Sequence, residues 1–295
     1  MLRVFLFVLT NLAIMLVLGV VAHVFGLDRW AYAHGGIHLT GLLVFCAIFG
    51  MGGSLISLLM SKTMAKMSVG AQVLAEPRTP DEKWLFDTIS QHARNAGIGM
   101  PEIAVYDAAE ANAFATGASR NHALVAISTG LLARMNRDEI SAVLGHEITH
   151  VANGDMVTLA LIQGVLNTFV MFLARVLGSV IDGMLQGGRD RDEGGYGIGY
   201  FLITMLLQLV LGVLATLIVM WFSRWREFRA DAGGARLGGR ANMISALQTL
   251  AGGQAESSLP KAMLAFGIAG EGGVARLFMS HPPIAERIAA LRAAG

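Results

Sequence analysis

Residues 146–150 read His146-Glu147-Ile148-Thr149-His150. Two histidines four apart on a helix project from the same face, so both imidazoles can reach one metal ion. Glu147 lies beside them, close enough to take a proton from a water polarised by that ion. The chemistry implied is zinc-assisted hydrolysis of a peptide bond. The flanks argue for the helix. Asn136-Arg137-Asp138-Glu139 reads as a capping box, and Gly154 ends the segment. Ile140, Val143, Leu144, Ile148 and Val151 form an apolar stripe on a different arc from the chemical residues. Asp155 is placed to cap a following helix.

A catalytic zinc needs three protein ligands and an open fourth position. The chain has one cysteine, Cys46, so no thiolate pair is available and the third ligand must be His, Asp or Glu. Downstream, Ser223-Arg-Trp-Arg-Glu-Phe-Arg-Ala-Asp231 sets Glu227 and Asp231 four apart on one helical face. Glu227 can complete a two-histidine, one-carboxylate site. Asp231 can then accept the outer ring N–H of a ligand histidine and fix its orientation. On this fragment alone, a solvated helix end with Glu-Arg pairs reads equally well.

The surroundings of the motif are apolar. Of 295 residues, 54% are hydrophobic and only 15% charged, against about 25% in ordinary globular chains. Mean hydropathy is +0.58. The net charge of +1 gives no reason to expect a nucleic-acid partner. Four stretches are long enough to cross a bilayer, which takes about 20 apolar residues. They lie between Arg3 and Asp28, between Arg29 and Lys62, from Asp155 toward Asp182, and between Glu193 and Arg224. The first is too long for a cleaved leader, and a second follows at once. The third and fourth form a hairpin that either crosses or half-inserts; both versions return the chain to its starting side. Lys62, Lys66, Arg224, Arg226, Arg229 and Arg3 flank the spans on one side, which the positive-inside bias assigns to the cytoplasm. The chain thus divides into two N-terminal spans (1–61), a soluble stretch with the histidine motif (62–155), the hydrophobic pair (156–222) and a second soluble stretch (223–295). The hairpin would bring His150 and Glu227 to one membrane face.

Within the soluble parts, Met60 to Gln72 reads as a Met-rich connector. Thr79-Pro80-Asp81-Glu82 is a second capping box, opening a helix with Leu85, Ile89 and Ala93 on one face and an end near Gly97. Residues 102–106, 111–118 and 122–128 read as strands. The glycine-rich stretches 233–239 and 268–273 read as loops. Pro282-Pro283 opens a last helix with Ile284, Ile288 and Leu291.

Together these elements resemble the HtpX-type membrane zinc metalloproteases, relatives of the prenyl-protein endopeptidases. The likeness covers essentially the whole chain: the two first spans, Asn112-Ala-Phe-Ala-Thr-Gly117, His146-Glu-Ile-Thr-His150, Ser223-Arg-x-x-Glu-Phe-x-Ala-Asp231, and Ser280-His-Pro-Pro283 with Arg287-Ile288. It implies an α-helical integral membrane protein with four transmembrane helices and an α+β zincin-like (gluzincin) cytoplasmic catalytic domain. It implies one Zn2+ per chain on His146, His150 and Glu227, Glu147 as the catalytic base and Asp231 as support. It further implies a multi-pass protein of the bacterial cytoplasmic membrane. The substrates would be misfolded or damaged membrane proteins and unfolded polypeptides, cut in envelope-stress quality control at the cytoplasmic face. Asn112-Ala113-Phe114 also resembles the edge-strand motif of thermolysin-like enzymes, where an extended substrate adds beside the zinc and the Asn side chain holds its backbone. His281 is a candidate to stabilise the oxyanion or to fill the open position at rest. Two other classes stay open: a polytopic metal transporter, which would want ionisable residues inside the spans, and a scaffold without catalysis.

Overall fold

The computed structural model describes residues 38–185, 198–253, 277 and 279–294. In chain order these carry α1 (Leu39–Val69), β1 (Gln72–Val73), α2 (Pro80–Ala96), β2 (Glu102–Tyr106), β3 (Ala113–Gly117), β4 (Ala123–Ser128), α3 (Thr129–Arg134), α4 (Arg137–Asn153), α5 (Asp155–Leu185), α6 (Ile198–Gly238), α7 (Arg240–Gly253) and α8 (Ile284–Ala293). The hydrophobic stretch expected between Arg3 and Asp28, most of the loop before the fourth stretch, and the glycine-rich 268–273 lie outside the described residues.

Among the described residues, three helices, α1, α5 and α6, are long and apolar enough to cross a membrane. The chain divides into two compact units, with the division inside these same helices. One unit takes the described residues up to Ile56 and those of Ala160–Val219; the other takes Ser57–Leu159 and those from Met220 onward. The first is built inside-out. Its core is small, with Leu39, Leu43, Cys46 and Phe172 packed together, while Ile48, Phe201, Leu206 and Leu209 are exposed. Small residues let the helices close on one another: Gly50 lies against Thr168, Gly164 against Ser54 and Gly178 against Thr204. An apolar exterior over a tight small-residue interface is what a hydrocarbon solvent selects.

The second unit is built on a mixed sheet of order β1-β2-β4-β3. β2 and β4 run parallel, with Glu102 opposite Leu124 and Tyr106 opposite Ser128. β3 pairs antiparallel with β4, Ala113 opposite Ile127 and Gly117 opposite Ala123, and forms one edge of the sheet. Ile103, Val125 and Ile127 face α2 and α4, whose Leu85, Ile89, Ile140, Val143, Leu144 and Ile148 complete the main core. Both capping boxes form: Thr79 with Glu82, and Asn136 with Glu139. Both helices end on a glycine in the left-handed region, Gly97 at φ 67° and Gly154 at φ 65°, which frees the chain to turn at once into the next element.

Two expectations need correction. The stretch from Met60 is not a connector. α1 continues through it to Val69, and Lys62 and Lys66 both pair with Glu102 of β2, at 2.5 and 2.7 Å. The stretch 233–239 is not a loop. Residues through Gly238 are the end of α6, and only Gly239 leaves the helix, at φ 96°. Here the glycines serve close approach. A Cβ at Gly233 would overlap the Thr149 side chain, one at Gly234 would crowd the backbone at Ala142 and His146, and one at Gly238 would overlap the Ala142 backbone. A local rule that reads glycine clusters as loops cannot see a partner helix. β1 and α3 were not anticipated; each is too short to carry a periodic signal.

Candidate metal centre

The crossing of α4 and α6 builds the site. α4 contributes the histidine motif, and its cap at Asn136 is tied down further by Glu139. The Glu139 carboxylate accepts from the Asn136 N–H at 3.1 Å and from the hydroxyls of Ser245 and Thr249 on α7, at 2.6 and 3.0 Å. α4 is buried nearly all round from Glu139 to Val151, so the apolar stripe and the chemical face are both covered. α6 is one continuous helix from its apolar run through Glu227 and Asp231.

His146, His150 and Glu227 each offer one ligand atom, all within 4.8 Å of one another. The Nε2 atoms of the two histidines are 3.1 Å apart, with the rings set edge to face at 83°. Glu227 places Oε1 3.2 Å from His150 Nε2 and Oε2 3.6 Å from His146 Nε2. The carboxylate is 1% exposed. The outer nitrogens meet carboxylates too: His146 Nδ1 is 2.9 Å from Asp231 Oδ1, and His150 Nδ1 is 2.7 Å from Asp155 Oδ2. Glu147 is buried beside them. His281, 61% exposed at its side chain, reaches in from the segment before α8 to put Nδ1 2.7 Å from Glu227 Oε2. Asn112 immediately precedes the edge strand β3, and Ala113 is its first residue; the Asn112 carbonyl accepts from the Ser128 N–H at 2.9 Å.

The electrostatics describe a place for a cation. Burial raises the Glu147 carboxyl above its ordinary range, against the pull of His146 and His150. Burial alone would lower His150, but hydrogen bonds to Asp155 and Glu227 outweigh it and push the imidazole up to about 9. Burial also works to raise Glu227, and is overcome by His150 and His281, which hold it far below the usual carboxylate range. Several buried carboxylates converge on two imidazoles. Two nitrogens and one oxygen, aimed inward and backed by further carboxylates, fit a divalent ion of borderline softness.

Sequence reasoning missed Asp155 and Arg287 as parts of this cluster. Asp155 was expected only as a helix cap, although it lies five residues after His150, within reach across the Gly154 turn. Arg287 holds Asp231 with a two-pronged contact, Nε to Oδ2 at 2.7 Å and Nη2 to Oδ1 at 2.5 Å. No spacing rule connects residues 231 and 287.

Comparison with known proteins agrees with the geometry. Residues 80–294 match the family described as peptidase family M48. The chain is 60% identical over 294 residues to a protein named Protease HtpX of Xanthomonas euvesicatoria pv. vesicatoria, covering 99% of this chain and 97% of that one. It is 59% identical over 294 residues to the like-named protein of Xanthomonas oryzae pv. oryzae, with the same coverage. Among solved structures, that of S. mikatae Ste24p shares the fold with a TM-score of 0.58 at 20% identity, over 95% of this chain and 67% of that chain.

Proposed function

The chain belongs to peptidase family M48 and is a membrane metalloendopeptidase, and on that premise we propose that it works with one Zn2+ held by His146, His150 and Glu227. The observation that carries this reading is the buried triad of ligand atoms within 4.8 Å, with Glu147 beside it. Zinc, when bound, supplies a Lewis acid for the scissile carbonyl and makes water at the site easier to deprotonate. The rest falls to the chain. Glu147 takes a proton from the attacking water as the C–O bond forms, then delivers it to the departing amine as the C–N bond breaks. Asp231 and Asp155 fix the ring orientations of His146 and His150. His281 supplies a donor toward the developing oxyanion. The edge of β3, with Asn112 and Ala113, binds the substrate as an added strand, so main-chain bonds give affinity without reading sequence.

The catalytic unit is zincin-like, of the gluzincin kind. By composition, the stretch between Arg3 and Asp28 is long enough to serve as a further span, in a bacterial cytoplasmic membrane with the catalytic unit on the cytoplasmic side. Substrates are membrane proteins and unfolded polypeptides, tethered or delivered to the same bilayer. Sharing one membrane raises their effective concentration. The decisive test uses the detergent-purified full chain. Glu147→Gln should keep near-stoichiometric zinc yet cut casein slower by orders of magnitude. Glu227→Ala should lose most of the metal. A Glu227→Ala protein that binds zinc normally would overturn the ligand set.

A further inference from the structure

Behind the ligands stands a residue that the metal chemistry does not itself require. Arg287, on α8, is 8% exposed. Its guanidinium grips Asp231 with Nε at 2.7 Å and Nη2 at 2.5 Å, one prong on each carboxylate oxygen. Asp231 Oδ1 in turn lies 2.9 Å from His146 Nδ1. The third prong, Nη1, lies 3.5 Å from Glu227 Oε2. Burial works against the charged form of this arginine, and the facing carboxylates more than compensate. One planar cation therefore touches both the third ligand and the carboxylate that orients the first.

We propose that Arg287 is a positioning residue for the metal centre, acting through Asp231 to fix the His146 ring. The proposal rests on the reading of His146, His150 and Glu227 as zinc ligands. The physical reason is geometric. A carboxylate alone can rotate about its last bond and present either oxygen, or neither, to the imidazole. A two-pronged guanidinium removes that freedom, because only one carboxylate plane satisfies both N–H groups. Asp231 is then pinned with Oδ1 2.9 Å from His146 Nδ1, a close charge contact that lies off hydrogen-bond alignment and biases the ring to keep Nε2 toward the site. A lysine would keep the charge and lose the second prong. The α8 helix thereby becomes part of the site without supplying a ligand, and its Leu291, packed with Ala142 of α4 and Met243 and Leu247 of α7, is what holds it there.

The probe is zinc alone, titrated against a competing chelator into the metal-free full chain in detergent, with melting temperature recorded on the same samples. Arg287→Met and Arg287→Lys should each weaken zinc about 10–100-fold, the range for lost outer-sphere support. Lysine should restore melting temperature, because the buried carboxylates keep a counter-charge, but not zinc affinity. In an Asp231→Asn background, Arg287→Lys should cost less than about threefold more, since the residue acts through a carboxylate already altered. Cobalt(II) in place of zinc gives a visible spectrum sensitive to ligand geometry, and it should shift in Arg287→Lys. Full zinc affinity in Arg287→Lys, or losses that add in the double variant, would overturn the proposal. Normal zinc binding by Glu227→Ala would instead sink the ligand reading beneath it, whatever Arg287 does.

Discussion

Glu102 shows how one side chain can be worth testing far from the chemistry. Burial alone would raise its carboxyl; the ammonium groups of Lys62 and Lys66 outweigh that and hold it below the ordinary range. A carboxyl depressed in the folded state gives stability that is present above its unfolded pKa, about 4.3, and lost as pH falls through the folded value. The melting temperature of the second unit should therefore drop on acidification below about pH 4.5, and Glu102→Gln should flatten that part of the profile. A profile unchanged by Glu102→Gln would show that the pairs contribute nothing measurable. Glu139 is a sharper case, because it is buried and satisfies a cap and two hydroxyls together. Glu139→Ala strands those donors and should cost about 1–3 kcal/mol in denaturant unfolding. Glu139→Gln, which keeps an acceptor, should cost less. At this scale the sequence was informative where partners are close along the chain. His146 with His150, Asn136 with Glu139 and Thr79 with Glu82 all follow from helical spacing. Asp155, at the start of α5, lies close enough along the chain for its contact with His150 to be found, but a residue at a helix start reads first as a cap.

Among the elements, the crossing of α4 and α6 decides whether a site exists. Gly233, Gly234 and Gly238 let the two backbones meet, and Gly145 of α4 answers them from the other side. Gly233→Ala tests this with an informative sign. In a free-standing helix the change gains about 1 kcal/mol from propensity. Here the added methyl meets Thr149, a stiff side chain buried one residue before His150. The substitution should lower the melting temperature and weaken zinc together, as α6 is pushed back with Glu227 on it. A more stable variant with unchanged zinc affinity would show the crossing to be slack. The sequence pattern misplaced this element because composition is a local signal. The same three glycines mean a loop when nothing is near and a close contact when a helix is. Strands 102–106, 111–118 and 122–128 were legible to within two residues, since alternating and continuous apolar runs bounded by polar turns need no knowledge of the tertiary partner. Their order in the sheet was not legible.

For the molecule as a whole, the two units live in different solvents, and metal should act on only one of them. If zinc binds the folded site and not the unfolded chain, saturation at 100 times the dissociation constant adds about 2.7 kcal/mol. Melting in detergent should then show a transition that a chelator lowers and zinc restores, and Glu227→Ala should abolish the response. Topology is open to a direct test as well. In a Cys46→Ser background, Ser119→Cys should resist an impermeant thiol reagent in intact cells and react after lysis. Labelling in intact cells would place the catalytic unit on the outer side. Composition and run lengths were enough to anticipate a membrane protein, because a helix of about 20 apolar residues matches the thickness of a bilayer's hydrocarbon core.

The donors of the centre are spread along the chain in an order that matters during synthesis. A ribosome that has just completed α4 has made both histidines and Glu147, yet no third donor. Glu227 comes only after α5 and the apolar run of α6, and Arg287 later still. On the proposed ligand set, a chain halted before Glu227 has two of the three donors and no complete zinc site. If Glu227 is the third ligand, hydrolytic competence waits until α6 has been made. On that reading, translation order alone keeps a protease that shares a bilayer with half-made proteins disarmed until its last ligand is in place.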